Sequence, residues 1–145
     1  MHGGLSPDIR TVEQIEDIDR VCEVPTAGGF GDLVWSDPEE IEGWAPGSRG
    51  VGWLFGSRAV REFNALNWVR VVVRSHQLVE SGHQWWFKER SLVTVWSAPN
   101  YCYRMGNKAC VMRVSGEGEI DFAGFEEDGR SIESVHYSKL IPYFL

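Results

Sequence analysis

The apolar residues near the start of the chain recur at helical spacing. Val12, Ile15 and Ile18 fall on one face of a helix, and the positions between them are mostly acidic or polar. Thr11 stands directly before this segment and Gln14 follows three residues later, which is the pattern of a capping box. We therefore predict a first helix that begins after Thr11.

The pattern then loses its period. The run V-P-T-A-G-G at 24–29 is expected to interrupt regular structure, and residues 32–56 are rich in Gly, Pro, Asp and Trp with no clear repeat. We predict that residues 32–56 form a long ordered loop, of the kind that often carries function. Three tryptophans are predicted to hold this loop in place: Trp35, Trp44 and Trp53.

Regular patterns return after this segment. A second helix is predicted from Ser57, as its cap, to about Ala65, with Val60 and Phe63 facing inward. Residues 69–73 then form a nearly continuous apolar run rich in β-branched side chains, which is typical of a strand buried on both faces. A helical front part and a β-rich back part indicate the α+β class. Further strands are predicted at 84–88, 92–96, 112–114 and 120–125, with a G-E-G turn at 116–118.

Composition places the chain among folded, soluble proteins. Its 145 residues are 43% hydrophobic and 24% charged, which fits one globular domain with a substantial core. The formal net charge of −7 argues against nucleic acid as a partner, because phosphate contacts need a basic surface. No apolar stretch is long enough for a membrane span, and no basic segment followed by an apolar run opens the chain, so neither a membrane nor secretion is expected. Three cysteines without C-x-x-C spacing favour a reducing, intracellular setting.

Two groups of polar residues directly follow predicted buried strands. R-S-H at 74–76 follows the strand 69–73, and S-A-P-N-Y at 97–101 follows the strand 92–96. Polar residues at the carboxyl ends of buried strands are where the sites of α/β-type proteins collect. His76 is then either a metal ligand or general base, or a core histidine whose nitrogens bond to the backbone.

Four further residues have two interpretations each. His2 lies in a G-G loop that lets the backbone approach closely, so it is either a candidate ligand or a residue at an irregular terminus. Arg49 could grip a phosphate in a bidentate manner, or it could lie solvated on the surface. Tyr101 could donate its hydroxyl to an anion or pack in its loop, and Cys102 is either a reactive or an inert thiol.

Five segments occur in an order that resembles one protein family. They are H-G-G-L-S-P-D at 2–8, D-L-V-W-S-D-P at 32–38, R-G and F-G within 49–56, R-S-H-Q-L-V at 74–79 and S-A-P-N-Y-C at 97–102. Together they are similar to the C-terminal half of the catalytic subunits of metal-dependent serine/threonine phosphoprotein phosphatases. The resemblance covers nearly the whole chain. Three shorter segments narrow the resemblance to the protein phosphatase 2A-like branch: Y-R at 103–104, G-N at 106–107 and the final Y-F-L. Within that branch the chain looks most like protein phosphatase 6, on the segments L-V-T-V-W at 92–96, G-W-L-F-G at 52–56 and the ending P-Y-F-L.

This resemblance implies a fold and a chemistry. The implied fold is the calcineurin-like metallophosphoesterase β-sandwich flanked by helices, of which residues 1–145 would be the C-terminal part. The implied activity is hydrolysis of phosphoserine and phosphothreonine by direct attack of a hydroxide that bridges two divalent metals, Mn, Fe or Zn. The resemblance also implies residue roles. His2 and His76 are ligands of the second metal, Arg49 holds the phosphate, Tyr101 lines the same pocket, Asp32 helps to orient the site, and Cys102 lies in a loop that contacts inhibitory toxins in relatives.

Motifs that the family carries in its first half do not occur in these residues. The missing motifs are G-D-x-H-G, G-D-x-V-D-R-G and G-N-H-E. In the family they supply the ligands of the first metal, the bridging Asp, an Asn ligand, the general-acid His and a second phosphate-binding Arg. We therefore expect a truncated form with at most a partial second-metal site, which is inactive on its own. Sheet edges left uncovered by the missing half are expected to favour poor folding or self-association.

A non-enzymatic alternative stays open. In it, the chain is a catalytically inactive truncated paralogue that binds phosphatase regulatory subunits or substrates. In relatives the carboxylate of the terminal leucine is methyl-esterified, which alters partner assembly, and Leu145 is the matching residue here. The resemblance thus implies phosphoprotein substrates and regulatory or scaffold subunits as partners, and a cytoplasmic or nuclear location.

Overall fold

Residues 1–128, which this computed structural model describes, form three helices, a short 3-10 helix and eight strands. Helix α1 is Val12–Glu16, α2 is Gly28–Trp35 and α3 is Ser57–Asn67, and the 3-10 helix is Tyr101–Tyr103. The strands are β1 (Asp37–Pro38), β2 (Trp44–Pro46), β3 (Trp53–Phe55), β4 (Val72–Arg74), β5 (His83–Trp86), β6 (Leu92–Val95), β7 (Ala109–Val114) and β8 (Ile120–Phe125).

Within the described residues the strands pair as three small sheets. In the first, β3 lies between the parallel β1 and the antiparallel β2. In the second, β6 lies between the parallel β4 and the antiparallel β5, and β7 and β8 form an antiparallel hairpin. Because β4 and β6 are parallel, the polar residues that follow each of them leave the same edge of the sheet. The predicted α+β class is confirmed.

The capping box that the sequence predicts for α1 is confirmed. The Thr11 hydroxyl accepts a hydrogen bond from the Gln14 N–H at 3.3 Å, and the Gln14 side chain accepts one from the Thr11 N–H at 3.0 Å. These two bonds satisfy backbone donors that the first turn of a helix otherwise leaves unpaired. The helix itself is short, and it ends at Glu16.

The second predicted helix, α3, is longer than expected and begins differently. Val60 and Phe63 are buried, as predicted. Ser57 is not the cap, however, because it is already the first helical residue, and Gly56 precedes it without a side-chain capping bond. The helix continues to Asn67, whose amide donates to the Phe63 carbonyl at 2.8 Å.

The prediction that residues 32–56 form one long ordered loop is wrong. This segment contains the end of α2 and all of β1, β2 and β3. The preceding glycine run, expected to break regular structure, instead opens α2, with Ala27 as its N-cap. Glycine is needed at position 31 because a Cβ there would lie 2.6 Å from the Pro25 carbonyl oxygen. Close packing rather than flexibility therefore explains that glycine.

Two of the three tryptophans hold this segment as predicted. The Trp44 ring meets the Trp53 ring edge-on, with centroids 6.5 Å apart. It packs on the Phe55 ring in a tilted arrangement, with centroids 6.0 Å apart. Trp35 does something else: its ring packs edge-on against His76, with centroids 5.4 Å apart. The third tryptophan thus belongs to the candidate site.

The strand predicted at 69–73 is shifted and only half-buried. It occupies Val72–Arg74, where Val72 is buried but Val73 is 37% exposed. Among the described strands β4 pairs only with β6, and its other edge carries the N-terminal segment, whose Met1 amino group donates to the Val73 carbonyl at 2.9 Å. The strands predicted at 92–96 and 120–125 are confirmed, whereas the one at 84–88 begins and ends earlier and the one at 112–114 begins earlier.

The core brings α3 against the first two sheets. It consists of Leu5, Phe55, Ala59, Val60, Phe63, Val72, Phe87 and Leu92. Leu5 belongs to the H-G-G-L segment, so this segment is anchored in the core rather than free at the surface. In the described part of the chain, no helix combines the length and apolarity needed to cross a membrane.

Candidate functional site

His2 and His76 meet at the edge where β4 ends. The N-terminal segment runs beside this strand. The Met1 amino group donates to the Val73 carbonyl at 2.9 Å, and the Ser75 N–H donates to the His2 carbonyl at 3.0 Å. The Nδ1 atom of His76 then lies 3.2 Å from the Nε2 atom of His2. The structure therefore brings together the two histidines that the sequence singled out.

The chain turns sharply at His76. This residue has φ of 64°, in the left-handed region that residues with a Cβ seldom adopt. The turn is closed by the Gln77 N–H, which donates to the Ser75 carbonyl at 2.7 Å. Such backbone conformations persist only where the surroundings enforce them, and they concentrate at functional sites. Here the turn places the imidazole against His2 on one side and Trp35 on the other.

His2 reaches this position because the residues after it pack directly on α2. The N–H groups of Gly3 and Gly4 donate to the Leu33 carbonyl at 2.9 and 3.2 Å. A Cβ at Gly3 would lie 2.4 Å from the carbonyl of Val34, a distance that no side chain tolerates. The inference that the G-G pair permits close backbone approach is confirmed.

Asp37 connects the histidines to two arginines. Its Oδ1 atom accepts a hydrogen bond from Arg74 Nη2 at 2.7 Å and lies 3.9 Å from His76 Nε2. Its Oδ2 atom lies 3.7 Å from Arg49 Nε. The Arg74 side chain is fully buried, whereas that of Arg49 is 48% exposed. Arg49 is therefore tethered beside the histidines while part of its side chain remains open to an anion from solution.

The sequence reasoning missed Asp37 and its ion pair with Arg74, a residue that it had named only within the polar group R-S-H. Both stand inside segments that carried the family resemblance, W-S-D-P and R-S-H, but they are 37 positions apart. No periodicity links residues so distant in the chain. The one available signal is Arg74 itself, because a charged residue at the end of a buried strand needs a partner of opposite charge.

The two imidazoles are suited to bind a divalent ion. Burial is the main cause that lowers the pKa of His76 to about 4, and burial followed by the charge of Arg74 lowers the pKa of His2. Both rings are then neutral at physiological pH and keep a lone pair for a metal. Two nitrogens about 2.1 Å from one ion are separated by about 3.0 Å at a right angle and about 3.4 Å at the tetrahedral angle. The observed 3.2 Å lies between these values.

The histidine pair forms only part of a ligand set. Within residues 1–128, no group of three or more His, Cys, Asp or Glu side chains is placed to hold a metal ion. Asp37 is close, but its carboxylate is engaged by Arg74. Two neutral imidazoles supply no negative charge, so tight binding of a divalent ion requires further ligands.

Asp32 lies in α2 and is buried away from solvent. Its Oδ2 atom accepts a hydrogen bond from the Ser6 hydroxyl at 2.7 Å. This bond ties the segment that begins with His2 onto α2. Its orienting role stays a prediction.

Tyr101 and Cys102 lie in the 3-10 helix after β6. The Tyr101 ring meets the Trp96 ring edge-on at 4.9 Å, and its N–H donates to Asn107 Oδ1 at 2.8 Å. Within the described range, no hydrogen bond or ring contact joins Tyr101 to the histidine pair or to Arg49. Cys102 is an exposed free thiol with φ of 55°. Their roles stay predictions, and Leu145 lies outside the described residues.

A family comparison agrees with this site. The sequence profile of the calcineurin-like phosphoesterases matches residues 1–80, which contain both histidines, both arginines and Asp37. The chain belongs to the calcineurin-like phosphoesterase family. Phosphoesterases of this family use divalent metal ions, which is consistent with the paired neutral imidazoles.

The chain is similar to several serine/threonine-protein phosphatases. SIT4 of Candida albicans is 55% identical over 131 residues, which cover 89% of this chain and 42% of that protein. PP1-1 of Saccharomyces cerevisiae is 48% identical over 149 residues, which cover 100% of this chain and 48% of that protein. The ppe1 protein of Schizosaccharomyces pombe is 52% identical over 125 residues, which cover 86% of this chain and 41% of that protein. The chain therefore spans less than half the length of these curated relatives.

A solved structure confirms the expected fold. It is a protein serine/threonine phosphatase from Saccharomyces cerevisiae with similarity to human phosphatase PP5. The comparison has a TM-score of 0.78 and 32% sequence identity, and it covers 91% of this chain and 45% of that one. The calcineurin-like architecture that the sequence motifs implied is the architecture of this chain.

Proposed function

We propose that this chain carries the second-metal and phosphate-binding part of the active site of a metal-dependent protein-serine/threonine phosphatase. The observation that supports this proposal most is the convergence of His2, His76 and Arg49 around Asp37 at one sheet edge. The similarity to serine/threonine-protein phosphatases supports phosphoserine and phosphothreonine as the groups hydrolysed.

The residues of the site have separate tasks in this proposal. His2 and His76 would hold one divalent ion, Mn, Fe or Zn. When bound, such an ion supplies Lewis-acid activation of water and of the phosphoryl group. Arg49 binds phosphate oxygens and offsets the negative charge that develops on them during hydrolysis. Asp37 keeps the Arg49 guanidinium beside the histidines.

The branch and the partners belong to the same proposal. The segments L-V-T-V-W and G-W-L-F-G support a protein phosphatase 6-like member of the protein phosphatase 2A-like branch. Its substrates are then phosphoproteins, its partners are regulatory or scaffold subunits, and its location is the cytoplasm or nucleus. Methyl-esterification of the Leu145 carboxylate is proposed as the modification that adjusts partner binding.

Metal binding tests the histidine pair directly. We expect cobalt(II) titrated into the purified chain to give the absorption bands of a nitrogen-ligated ion. We expect His76→Ala to weaken this binding at least about 10-fold, because it removes one of two ligand nitrogens. The control is His83→Ala, since the His83 ring stacks on Phe122 at 4.0 Å and takes no part in the pair. Equal cobalt affinity in both variants would contradict the proposal.

Turnover tests whether the chain is sufficient for catalysis. We expect the purified chain with added Mn²⁺ to hydrolyse a phosphothreonine peptide no faster than Mn²⁺ alone. The reason is that the ligands of the first metal and the general acid are absent from these residues. The measurement is release of inorganic phosphate, with His76→Ala as the comparison. Metal-dependent turnover that disappears in His76→Ala would show that other residues here replace the missing groups.

A further inference from the structure

Arg74 is the largest fully buried side chain among the described residues. A guanidinium carries five N–H donors, and each of them faces an acceptor here. Nε donates to the Gly3 carbonyl, Nη2 donates to the Ser36 carbonyl at 3.2 Å and to Asp37 Oδ1 at 2.7 Å, and Nη1 donates to Gln77 Oε1 at 2.7 Å and lies 3.5 Å from Thr94 Oγ1. One side chain therefore joins the segment after His2, the end of α2, the turn at His76 and strand β6.

The first of these contacts acts on His2. Gly3 is the next residue in the chain, and its carbonyl is held by Arg74 Nε. The carbonyl of His2 itself is held by the Ser75 N–H at 3.0 Å. Successive carbonyls of this segment are thus fixed by neighbouring residues of the β4 end, and this fixes the position from which the His2 imidazole extends.

The second set of contacts acts on His76. Arg74 and Gln77 lie on either side of the left-handed turn, and their side chains are joined by the 2.7 Å bond from Nη1 to Oε1. The bond closes the turn and opposes its relaxation to an ordinary backbone conformation. It therefore keeps the His76 imidazole directed at His2.

No other side chain could make all of these contacts. Lysine has a compact ammonium on a flexible stem and lacks the planar fork that lets one guanidinium donate in three directions. Asp37 supplies the negative charge that a buried guanidinium requires. The guanidinium stays charged at neutral pH, because an arginine side chain is not deprotonated in proteins.

We propose that Arg74 is a positioning residue that sets the imidazoles of His2 and His76 at ligand distance by clamping the Gly3 carbonyl and the Gln77 side chain. The benefit of this arrangement for catalysis rests on the proposed function, but the arrangement itself does not. It is present without a metal and can be measured without one.

Nuclear magnetic resonance of the metal-free chain tests the proposal. We expect nuclear Overhauser contacts between the ring protons of His2 and His76, whose ring centroids are 5.0 Å apart. We expect Arg74→Met to abolish them. The control is Asn64→Ala, which removes another buried polar side chain that bonds to main-chain carbonyls, those of Ser91 and Arg70, in a different part of the core. A generally weakened fold would affect both variants, whereas a positioning role affects only Arg74→Met.

Arg74→Lys provides a second test should the methionine variant fail to fold. It retains the positive charge for Asp37, but its single ammonium nitrogen cannot replace three separate guanidinium nitrogens that reach Asp37, Gly3 and Gln77. We therefore expect a folded chain with a weakened ring contact. We expect cobalt(II) affinity to fall about 10-fold in each Arg74 variant and to remain unchanged in Asn64→Ala. Wild-type-like ring contacts in a folded Arg74 variant, or no such contact in the wild type, would overturn the proposal. A wild type that shows the contact but takes up no cobalt would overturn the proposed function alone.

Discussion

Asp37→Ala is expected to destabilise the folded chain by about 3–5 kcal/mol. The substitution leaves the Arg74 guanidinium buried without its counter-ion, and an uncompensated buried charge is among the costliest defects a fold can carry. The Arg74 side chain has no exposed surface and that of Asp37 only 9%, so water cannot replace the lost carboxylate without opening the site. Urea unfolding followed by tryptophan fluorescence measures the loss, with light scattering to establish the oligomeric state.

The matched control for this prediction is an exposed ion pair. Glu62→Ala breaks the bond between Arg58 and Glu62 on α3, whose side chains are 68% and 61% exposed. Exposed pairs contribute little because water solvates both partners equally well when they separate. We therefore expect almost no change in the unfolding midpoint. If the two alanine variants lose similar stability, the buried pair is not the anchor that its geometry suggests.

A double variant separates stability from positioning. Asp37→Leu combined with Arg74→Met replaces the buried pair with apolar side chains, a change that is often neutral or stabilising. We expect the double variant to recover much of the stability lost in Asp37→Ala. We do not expect it to restore the contact between the His2 and His76 rings, because neither new side chain can hold the Gly3 carbonyl.

Phe55→Ala is expected to cost about 3–5 kcal/mol as well, through a different mechanism. Truncating a buried phenylalanine removes its transfer free energy and leaves a cavity that the surroundings fill only in part. Phe55 has no exposed surface, packs against Trp44, and sits directly under Gly4, where an added Cβ would approach its ring to 2.2 Å. The cavity would therefore open beneath the segment that carries His2. Urea unfolding again measures the loss of stability.

Phe125→Ala is the control for this substitution. Phe125 closes β8 and is 41% exposed, so its removal leaves no enclosed cavity. We expect a clearly smaller loss of stability and unchanged cobalt(II) binding, whereas Phe55→Ala should weaken both. Equal effects of the two substitutions would mean that the core beneath the site is loosely packed.

The features that could be predicted are those governed by neighbouring residues. The capping box of α1 depends on Thr11 and Gln14, three positions apart, and the buried face of α3 on Val60 and Phe63. Strand β6 follows from its own largely apolar run, of which Leu92 and Val93 are buried in the structure. In each case the physical cause acts within one or two turns of chain, so the sequence shows it directly.

The features that were missed depend on distant packing. The run at 24–29 suggested a break, yet Gly28 and Gly29 open α2, where a Cβ at Gly29 would lie 2.4 Å from the Ile9 side chain. The strand predicted at 69–73 was expected to be buried on both faces, but it occupies Val72–Arg74 and Val73 is 37% exposed. A sequence shows that a residue is small or apolar and not what lies against it.

The sequence by itself determined which residues are available to the site. It singled out His2, His76 and Arg49, and it predicted a phosphoesterase fold. It also showed that the motifs that supply the remaining ligands do not occur in these residues. Only the tertiary structure decided that the two imidazoles face each other at 3.2 Å and that Asp37 and Arg74 support them. The physical reason is that these contacts join residues separated by 37 to 74 positions. Such pairs form only when the N-terminal segment lies along the end of β4 and packs closely on α2.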